Sequence, residues 1–270
     1  MTAGPEDFVD DLWPAIRQAA SIARSLEGRV PNRPKRGEDT DVKAALTAAD
    51  TACQEALLAA LLNRFADVRL EAEEDTESVE RFSGKRDALV VIDPIDGTLR
   101  SYLGAEGPYA VMAGLALEGR FQGVTVALPR EEIFVHAFEA GGAFIAQGDG
   151  EGAPVRARAD GDTVMVSYDL PDAVAERIEA RGWRTAEGCG GAIAVAPLLP
   201  GFVGGLRVPN PRPLSLRGRI GLLASQEAGA TVAQVGGPAP TALAEPLRHV
   251  AVAAEDEILA DLLYALEADA

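Results

Sequence analysis

The feature that most constrains this chain is an apolar strand that runs directly into a pair of aspartates. Residues 89–92 are aliphatic, which predicts a buried strand, and Asp93 and Asp96 follow at once around Pro94. Carboxylates that border an apolar strand are costly to bury unless positive charge compensates them. The stretch VVIDPIDGT at 90–98 therefore predicts a cation at the end of this strand.

The turn after the strand suits both a metal ion and a phosphate group. Pro94 restricts φ and supplies no N–H group, which stiffens the turn, and Gly97 lets the backbone approach an anion closely. An acidic run, EAEED at 71–75, follows another short predicted strand. Oxygen ligands of this kind suit Mg²⁺, which takes few carboxylates and keeps waters and phosphate oxygens. Together these segments indicate metal-assisted phosphoryl chemistry.

Several motifs occur along the chain in an order that resembles the inositol monophosphatase family of metal-dependent phosphatases. TAAD at 47–50 is followed by EE at 73–74, by DPIDGT at 93–98, by an antiparallel region that ends in GGAF, and by EAGATV at 227–232. The resemblance covers most of the chain, from about residue 43 to residue 235. It implies an α+β fold, a layered αβαβα sandwich of the sugar-phosphatase type.

The resemblance also implies a set of metal ligands. Glu73 would bind the first metal, Asp93 would bridge two metals, the Ile95 carbonyl would complete the first site, and Asp96 would bind the second. The implied cofactor is Mg²⁺, and lithium sensitivity would accompany it.

Catalytic and substrate-binding roles follow from the same resemblance. Thr98 and Asp50 would form a hydrogen-bonded pair that orients a metal-activated water, and the amides of Gly97 and Thr98 would hold the phosphate. The implied activity is that of a phosphoric monoester hydrolase acting on a small phosphorylated metabolite. The residues alone leave a plainer interpretation open, in which the acidic run is a solvated loop and Thr47 and Asp50 only cap a helix.

The chain departs from the family pattern in its C-terminal half. Arg217 stands where the family has the aspartate that completes the second metal site, and residues 188–226 contain no Asp or Glu. Two outcomes are open. A metal binds at Glu73, Asp93 and Ile95 while the second site is weak, which is our hypothesis, or Arg217 reaches the pocket and pairs with Asp93 or Asp96.

This departure leaves other functions open. A non-catalytic phosphatase-like binding or regulatory protein is the main alternative, and bisphosphate nucleotidase and histidinol-phosphatase-like activities are others. Arg100, Arg207 and Arg212 are candidates to bind a second anionic group of the substrate, or are ordinary surface charges.

Composition restricts the partners. The chain has 42 acidic and 25 basic residues, a formal charge of −17, which predicts that it binds neither nucleic acid nor anionic membranes. No apolar run reaches the roughly 18 residues of a membrane span. The acidic start, MTAGPEDFVDD, is unlike a signal peptide, so a cytoplasmic location is expected. A homodimer is left open, because members of the family often form one.

Periodicity predicts the secondary structure. Helices are predicted at 6–27, 47–65, 172–181, 215–226 and 256–268, and further strands at 68–70, 163–167, 231–235 and 249–253. Residues 109–144 are predicted to form three antiparallel strands joined by EGR and PREE turns, and the basic segment 29–41 to be a mobile loop. The segment GDGEGAP predicts a boundary between an N-terminal α+β half, 1–150, which carries the metal site, and a C-terminal α/β half, 151–270.

Overall fold

The computed structural model describes residues 3–35, 37, 41, 46–208 and 213–267. Within these residues the chain builds two β-sheets and three layers of helices, in the order αβαβα. The predicted fold class is confirmed.

The first sheet has seven strands in sequence order, and only its first pair is parallel. The strands are β1 (Arg69–Glu71), β2 (Ala88–Asp96), β3 (Ala110–Leu117), β4 (Arg120–Leu128), β5 (Ile133–Phe138), β6 (Gly142–Gln147) and β7 (Ala153–Pro154). Two helices, α1 (Pro5–Leu26) and α2 (Ala48–Leu61), cover one face of this sheet.

The second sheet has six strands in the order β12-β11-β13-β10-β8-β9. They are β8 (Thr163–Val166), β9 (Arg184–Glu187), β10 (Phe202–Arg207), β11 (Thr231–Gln234), β12 (Gly237–Pro238) and β13 (Val250–Ala253). Helices α3 (Asp172–Ala180) and α6 (Asp256–Glu267) form the outer layer, while α4 (Gly190–Val195) and α5 (Leu222–Glu227) lie between the sheets.

Two apolar cores hold the first sheet in place. Helices α1 and α2 bury their apolar faces against it, with Phe8, Leu12 and Leu57 fully buried. The opposite face packs against α4, α5 and the turn before α5 through side chains such as Met112 and Ile193. Because this second core joins residues from both halves of the chain, the sheets pack as neighbours. The boundary at residue 150 stays a prediction.

The three strands predicted in the region 109–144 are confirmed with their EGR and PREE turns, but a fourth strand, β6, begins at Gly142 and was missed. The missed turn lies between β5 and β6, where Ala140 has φ 60° and Gly142 has φ 87°. Alanine rarely adopts positive φ, so the sequence gives little warning of a reversal there.

The predicted helix 215–226 was also wrong. The chain forms a 3₁₀ turn, Arg217–Arg219, and then the short helix α5. Strand β10 was missed because two glycines, Gly204 and Gly205, interrupt its apolar pattern. A Cβ at Gly205 would lie 2.3 Å from the Ile193 carbonyl oxygen, so glycine lets α4 cross this strand closely. Among the described residues, no helix is long and apolar enough to cross a membrane.

Candidate metal and phosphate site

The parallel pairing of β1 and β2 places two acidic segments at the same edge of the first sheet. Glu71, the last residue of β1, pairs with Val91 in this register, and Glu73 and Asp93 lie two residues further along each chain. Both chains run in the same direction, so these carboxylates meet beyond the paired residues. Arg217 contacts both of them, which shows that they lie side by side.

Helix α2 fixes the acidic segment through a residue that sequence reasoning missed. Gln54 is fully buried. Its Nε2 donates to the Glu74 carbonyl at 2.6 Å, and Gln54 Oε1 accepts from the Glu74 N–H at 2.9 Å. Gln54 lies one helical turn after Asp50, on the same buried face of α2. That spacing is the signal in the sequence that would have found it.

Asp50 and Thr98 lie together, as the resemblance implied. Asp50 Oδ2 accepts hydrogen bonds from the Thr47 N–H (2.8 Å) and hydroxyl (2.7 Å), which is the predicted capping box. The Thr98 hydroxyl lies 3.1 Å from Asp50 Oδ1 and 2.7 Å from the Ile95 carbonyl oxygen, and its single proton can serve either. Burial raises the pKa of Asp50, although the hydrogen bonds from Thr47 and Thr98 partly oppose this.

The turn that follows β2 requires glycine. Gly97 has φ 90°, and a Cβ there would lie 2.9 Å from both the Cys189 Cβ and the Ser101 hydroxyl. A π-helical turn, Thr98–Leu103, begins directly after it. The Gly97 and Thr98 amides, which were predicted to hold phosphate, therefore lie at the start of this turn.

Asp93 carries the main electrostatic imbalance of the site. Its side chain is buried, and its Oδ1 has no hydrogen-bond partner within the part of the chain that the structure describes. Burial, followed by the charges of Glu73 and Asp96, raises the pKa of Asp93 well above its usual value, while Arg217 lowers it. An unpartnered buried carboxylate oxygen beside two other carboxylates fits a cation.

Two basic side chains already contact this cluster. Arg217 Nε lies 3.7 Å from Glu73 Oε2 and 3.8 Å from Asp93 Oδ2. Lys35 Nζ lies 2.8 Å from Glu74 Oε1 and 3.5 Å from Glu73 Oε1. Burial opposes the charge on Lys35, but its hydrogen bond to Glu74 and the nearby carboxylates raise its pKa. Sequence reasoning did not identify Lys35, because the charges it pairs with lie far along the chain.

Asp96 is held from the other side of the site. The Gly191 N–H, at the start of α4, donates to Asp96 Oδ2 at 2.6 Å. Arg217 therefore pairs with Asp93 and Glu73, while a backbone amide binds Asp96.

The donor set fits one divalent cation but not two. Among the residues that the structure describes, no group of three or more His, Cys, Asp or Glu side chains is arranged to hold a metal ion. Glu73, Asp93 and the Ile95 carbonyl offer two carboxylates and one further oxygen, which suffices for Mg²⁺ with its retained waters. At a second position Asp96 is already hydrogen-bonded, and Arg217 brings a positive charge instead of a ligand.

The three arginines considered for a second anionic group differ in their surroundings. Arg100 is half exposed and lies 3.5 Å from Glu106. Arg207 Nη1 is buried and has no hydrogen-bond partner among the described residues. It lies close to two glycines, since a Cβ would lie 2.0 Å from it at Gly190 and 2.6 Å from it at Gly218. Arg212 lies outside the described residues.

Comparison with known sequences decides the family. The sequence model of the inositol monophosphatase family matches residues 10–177, more than half of the chain. The chain belongs to the inositol monophosphatase family. The match ends before the segment that contains Arg217, which agrees with the divergence read from residues 188–226. A comparison with curated proteins found no match.

Solved structures of this family share the fold over nearly the whole chain. The IMPase of Thermotoga maritima is 21% identical, with a TM-score of 0.74, and 97% of this chain and 98% of that chain are covered. The extragenic suppressor protein suhB of Bartonella henselae is 16% identical, with a TM-score of 0.75, and the coverage is 96% and 97%. An IMPase/NADP phosphatase, complexed with NADP and Ca²⁺, is 16% identical, with a TM-score of 0.70 and 97% of each chain covered.

Proposed function

We propose that this family member hydrolyses a small phosphate monoester with one divalent cation, Mg²⁺, as its cofactor. The observation that carries the proposal is Asp93 Oδ1, a buried carboxylate oxygen without a partner at the meeting point of Glu73, Asp93 and Asp96. Membership of a phosphatase family supports the reaction class. The similar structure that binds Ca²⁺ supports a divalent cation.

Glu73, Asp93 and the Ile95 carbonyl would hold the cation. When bound there, it would supply positive charge to the phosphoryl oxygens and make a water molecule more acidic. The Gly97 and Thr98 amides would bind phosphate oxygens at the start of the π-helical turn.

The Asp50–Thr98 pair would orient the attacking water. Thr98 Oγ1 donates its proton to Asp50 Oδ1 or to the Ile95 carbonyl, which leaves a hydroxyl lone pair free to accept a hydrogen bond from water. Asp50 is itself fixed by two hydrogen bonds from Thr47. Because both side chains are buried, the water would be held in one orientation beside the phosphate.

Basic side chains near the site would offset part of the negative charge that an anionic substrate meets on a chain of overall charge −17. Arg217 and Lys35 contact the carboxylate cluster, and Arg207 has a buried Nη1 without a partner among the described residues, near Gly218. With the cation bound, these side chains would favour a small phosphorylated metabolite. A cytoplasmic location and a homodimer remain predictions.

A second candidate function is a non-catalytic binding or regulatory protein. The ion pairs of Arg217 with Glu73 and Asp93 favour it, because a guanidinium balances carboxylates without activating water. This candidate predicts phosphate binding without turnover.

Phosphate release from a panel of phosphorylated metabolites, with and without Mg²⁺, tests the proposal. We expect Mg²⁺-dependent release that Asp93→Asn lowers by at least about 100-fold. Asp87→Asn is the matched control, since Asp87 is exposed and directly precedes β2. Thermal unfolding of both variants would show that the fold is retained. Bound phosphate without release from any substrate would instead support the binding protein.

A further inference from the structure

Arg217 is presented to the carboxylate cluster by a turn that is anchored through Arg219. Arg219 is 4% exposed and donates to four carbonyl oxygens of the segment 240–245. Between them, Gly218 lies against the end of the Arg207 side chain, because a Cβ there would lie 2.6 Å from Arg207 Nη1. The backbone that follows Arg217 is therefore held by the hydrogen bonds of Arg219.

Arg217 balances the negative charge of Glu73 and Asp93 without donating hydrogen bonds to them. Its ion pairs to Glu73 and Asp93, at 3.7 and 3.8 Å, are longer than hydrogen bonds. The guanidinium thus keeps N–H groups that can still bind an anion. Burial opposes the charge of Arg217, but the carboxylates, Glu73 first, outweigh this and raise its pKa.

Space and charge limit what else the cluster can bind. Metal ions in two-metal sites lie about 3.5–4 Å apart and share carboxylate ligands. The guanidinium already lies within 4 Å of Asp93 Oδ2, the other oxygen of the carboxylate whose Oδ1 has no partner among the described residues. A second divalent ion at Oδ2 would meet the fixed positive charge of Arg217 at short range, where the repulsion is strong.

We propose that Arg217 takes the place of a second divalent cation, so that the site binds one divalent ion together with phosphate and the guanidinium faces the phosphoryl group. This inference rests on the proposed function, because it assumes that the first ion binds. The planar guanidinium matches two phosphate oxygens and supplies charge without needing a ligand shell.

The stoichiometry of Mn²⁺ binding tests this inference without any activity measurement. Titration calorimetry and electron paramagnetic resonance would be run with Mn²⁺ and inorganic phosphate. We expect one bound ion with the spectrum of an isolated Mn²⁺ in the wild-type protein. We expect two ions with a spin-coupled spectrum in Arg217→Asp, where a carboxylate replaces the guanidinium.

The three stoichiometries separate the two proposals. Two ions in the wild-type protein would overturn the role of Arg217 and the single-cation stoichiometry, and would leave metal-dependent phosphate hydrolysis standing. No bound ion would refute the proposed function, and this inference with it. One ion in the wild-type protein supports both.

Phosphate affinity gives a second measurement that does not depend on the folding of Arg217→Asp. With Mn²⁺ present, Arg217→Gln should raise the Kd of inorganic phosphate about 10-fold or more, and Arg217→Lys should raise it less. Arg184→Gln is the matched control, because the Arg184 side chain is exposed and its guanidinium lies 3.8 Å from Asp162, outside the carboxylate cluster. Equal phosphate affinity in the wild-type protein and Arg217→Gln would overturn the inference.

Discussion

His136 should make the stability of the protein depend on pH. Its ring stacks on Phe144, with centroids 5.0 Å apart, and lies edge-on to Trp13 at 4.4 Å. Its Nδ1 is buried without a hydrogen-bond partner. Burial lowers the pKa of His136 to about 4, against a smaller opposing effect of Asp10. Arg17 already places a positive charge over the Trp13 ring, so it gives no stabilisation to a protonated His136.

The direction of the effect follows from the two pKa values. The unfolded chain takes up the proton near pH 6.5 and the folded protein near pH 4, so protonation favours the unfolded state between them. Stability is unaffected above pH 6.5 and falls as the pH drops towards 4. At about 1.4 kcal/mol per pH unit the upper limit is ~3 kcal/mol. Because the ring is partly exposed, we expect about 1–2 kcal/mol.

The assay compares urea unfolding of the wild-type protein and His136→Phe at pH 7.5 and pH 4.5. Other titrating groups change the free energy of unfolding equally in both proteins. The difference between the two proteins in the stability lost from pH 7.5 to pH 4.5 therefore isolates the contribution of His136. We expect the wild-type protein to lose about 1–2 kcal/mol more than the variant. Equal losses would refute the reasoning, as would an NMR titration of His136 with a pKa near 6.5.

Three further predictions concern the support of the site and the core. Thr47→Ala removes the hydroxyl that accepts the Ala49 N–H at the start of α2 and donates to Asp50, and should cost about 1 kcal/mol in urea unfolding. The residue 47 N–H still donates to Asp50, so a larger cost would mean that the capping backbone also moves. Gln54→Leu leaves the backbone of Glu74 without its partners; we expect a cost of about 2–3 kcal/mol and weaker Mn²⁺ binding by calorimetry. Leu12→Ala, in the core away from the site, should cost about 3 kcal/mol and leave Mn²⁺ affinity unchanged. If Leu12→Ala weakened Mn²⁺ binding as much as Gln54→Leu does, the effect of Gln54→Leu on Mn²⁺ would come from the loss of overall stability.

The local part of the site could be predicted from the sequence because its chemistry is contiguous. DPIDGT carries the end of the strand and the glycine with positive φ, and TAAD carries its own capping box. The stiff turn predicted around Pro94 was wrong, because β2 continues to Asp96 with an irregular register after Asp93. The roles of these residues stay predictions until metal binding and turnover are measured. The substitution at Arg217 was also visible, because it breaks a family pattern.

Contacts between distant segments could not be predicted. Lys35 reaches Glu74 across 39 positions, and the Gly191 amide reaches Asp96 across 95. No local periodicity encodes such pairs. Strand β10 and helix α4 were missed for a related reason, since their glycines are required by close packing between elements and look like loop residues in the sequence.

The short strand β1 also limits how the chain can change length. Side chains alternate across a sheet, so sliding β1 by one residue against β2 would turn Glu73 away from Asp93. An added or deleted residue directly after Glu71 would have the same effect without altering any acidic residue. Length variation among relatives should therefore be concentrated closer to Ala88, where the connection returns to the sheet, and a gap placed at 72–73 would mark a protein in which this carboxylate no longer meets Asp93.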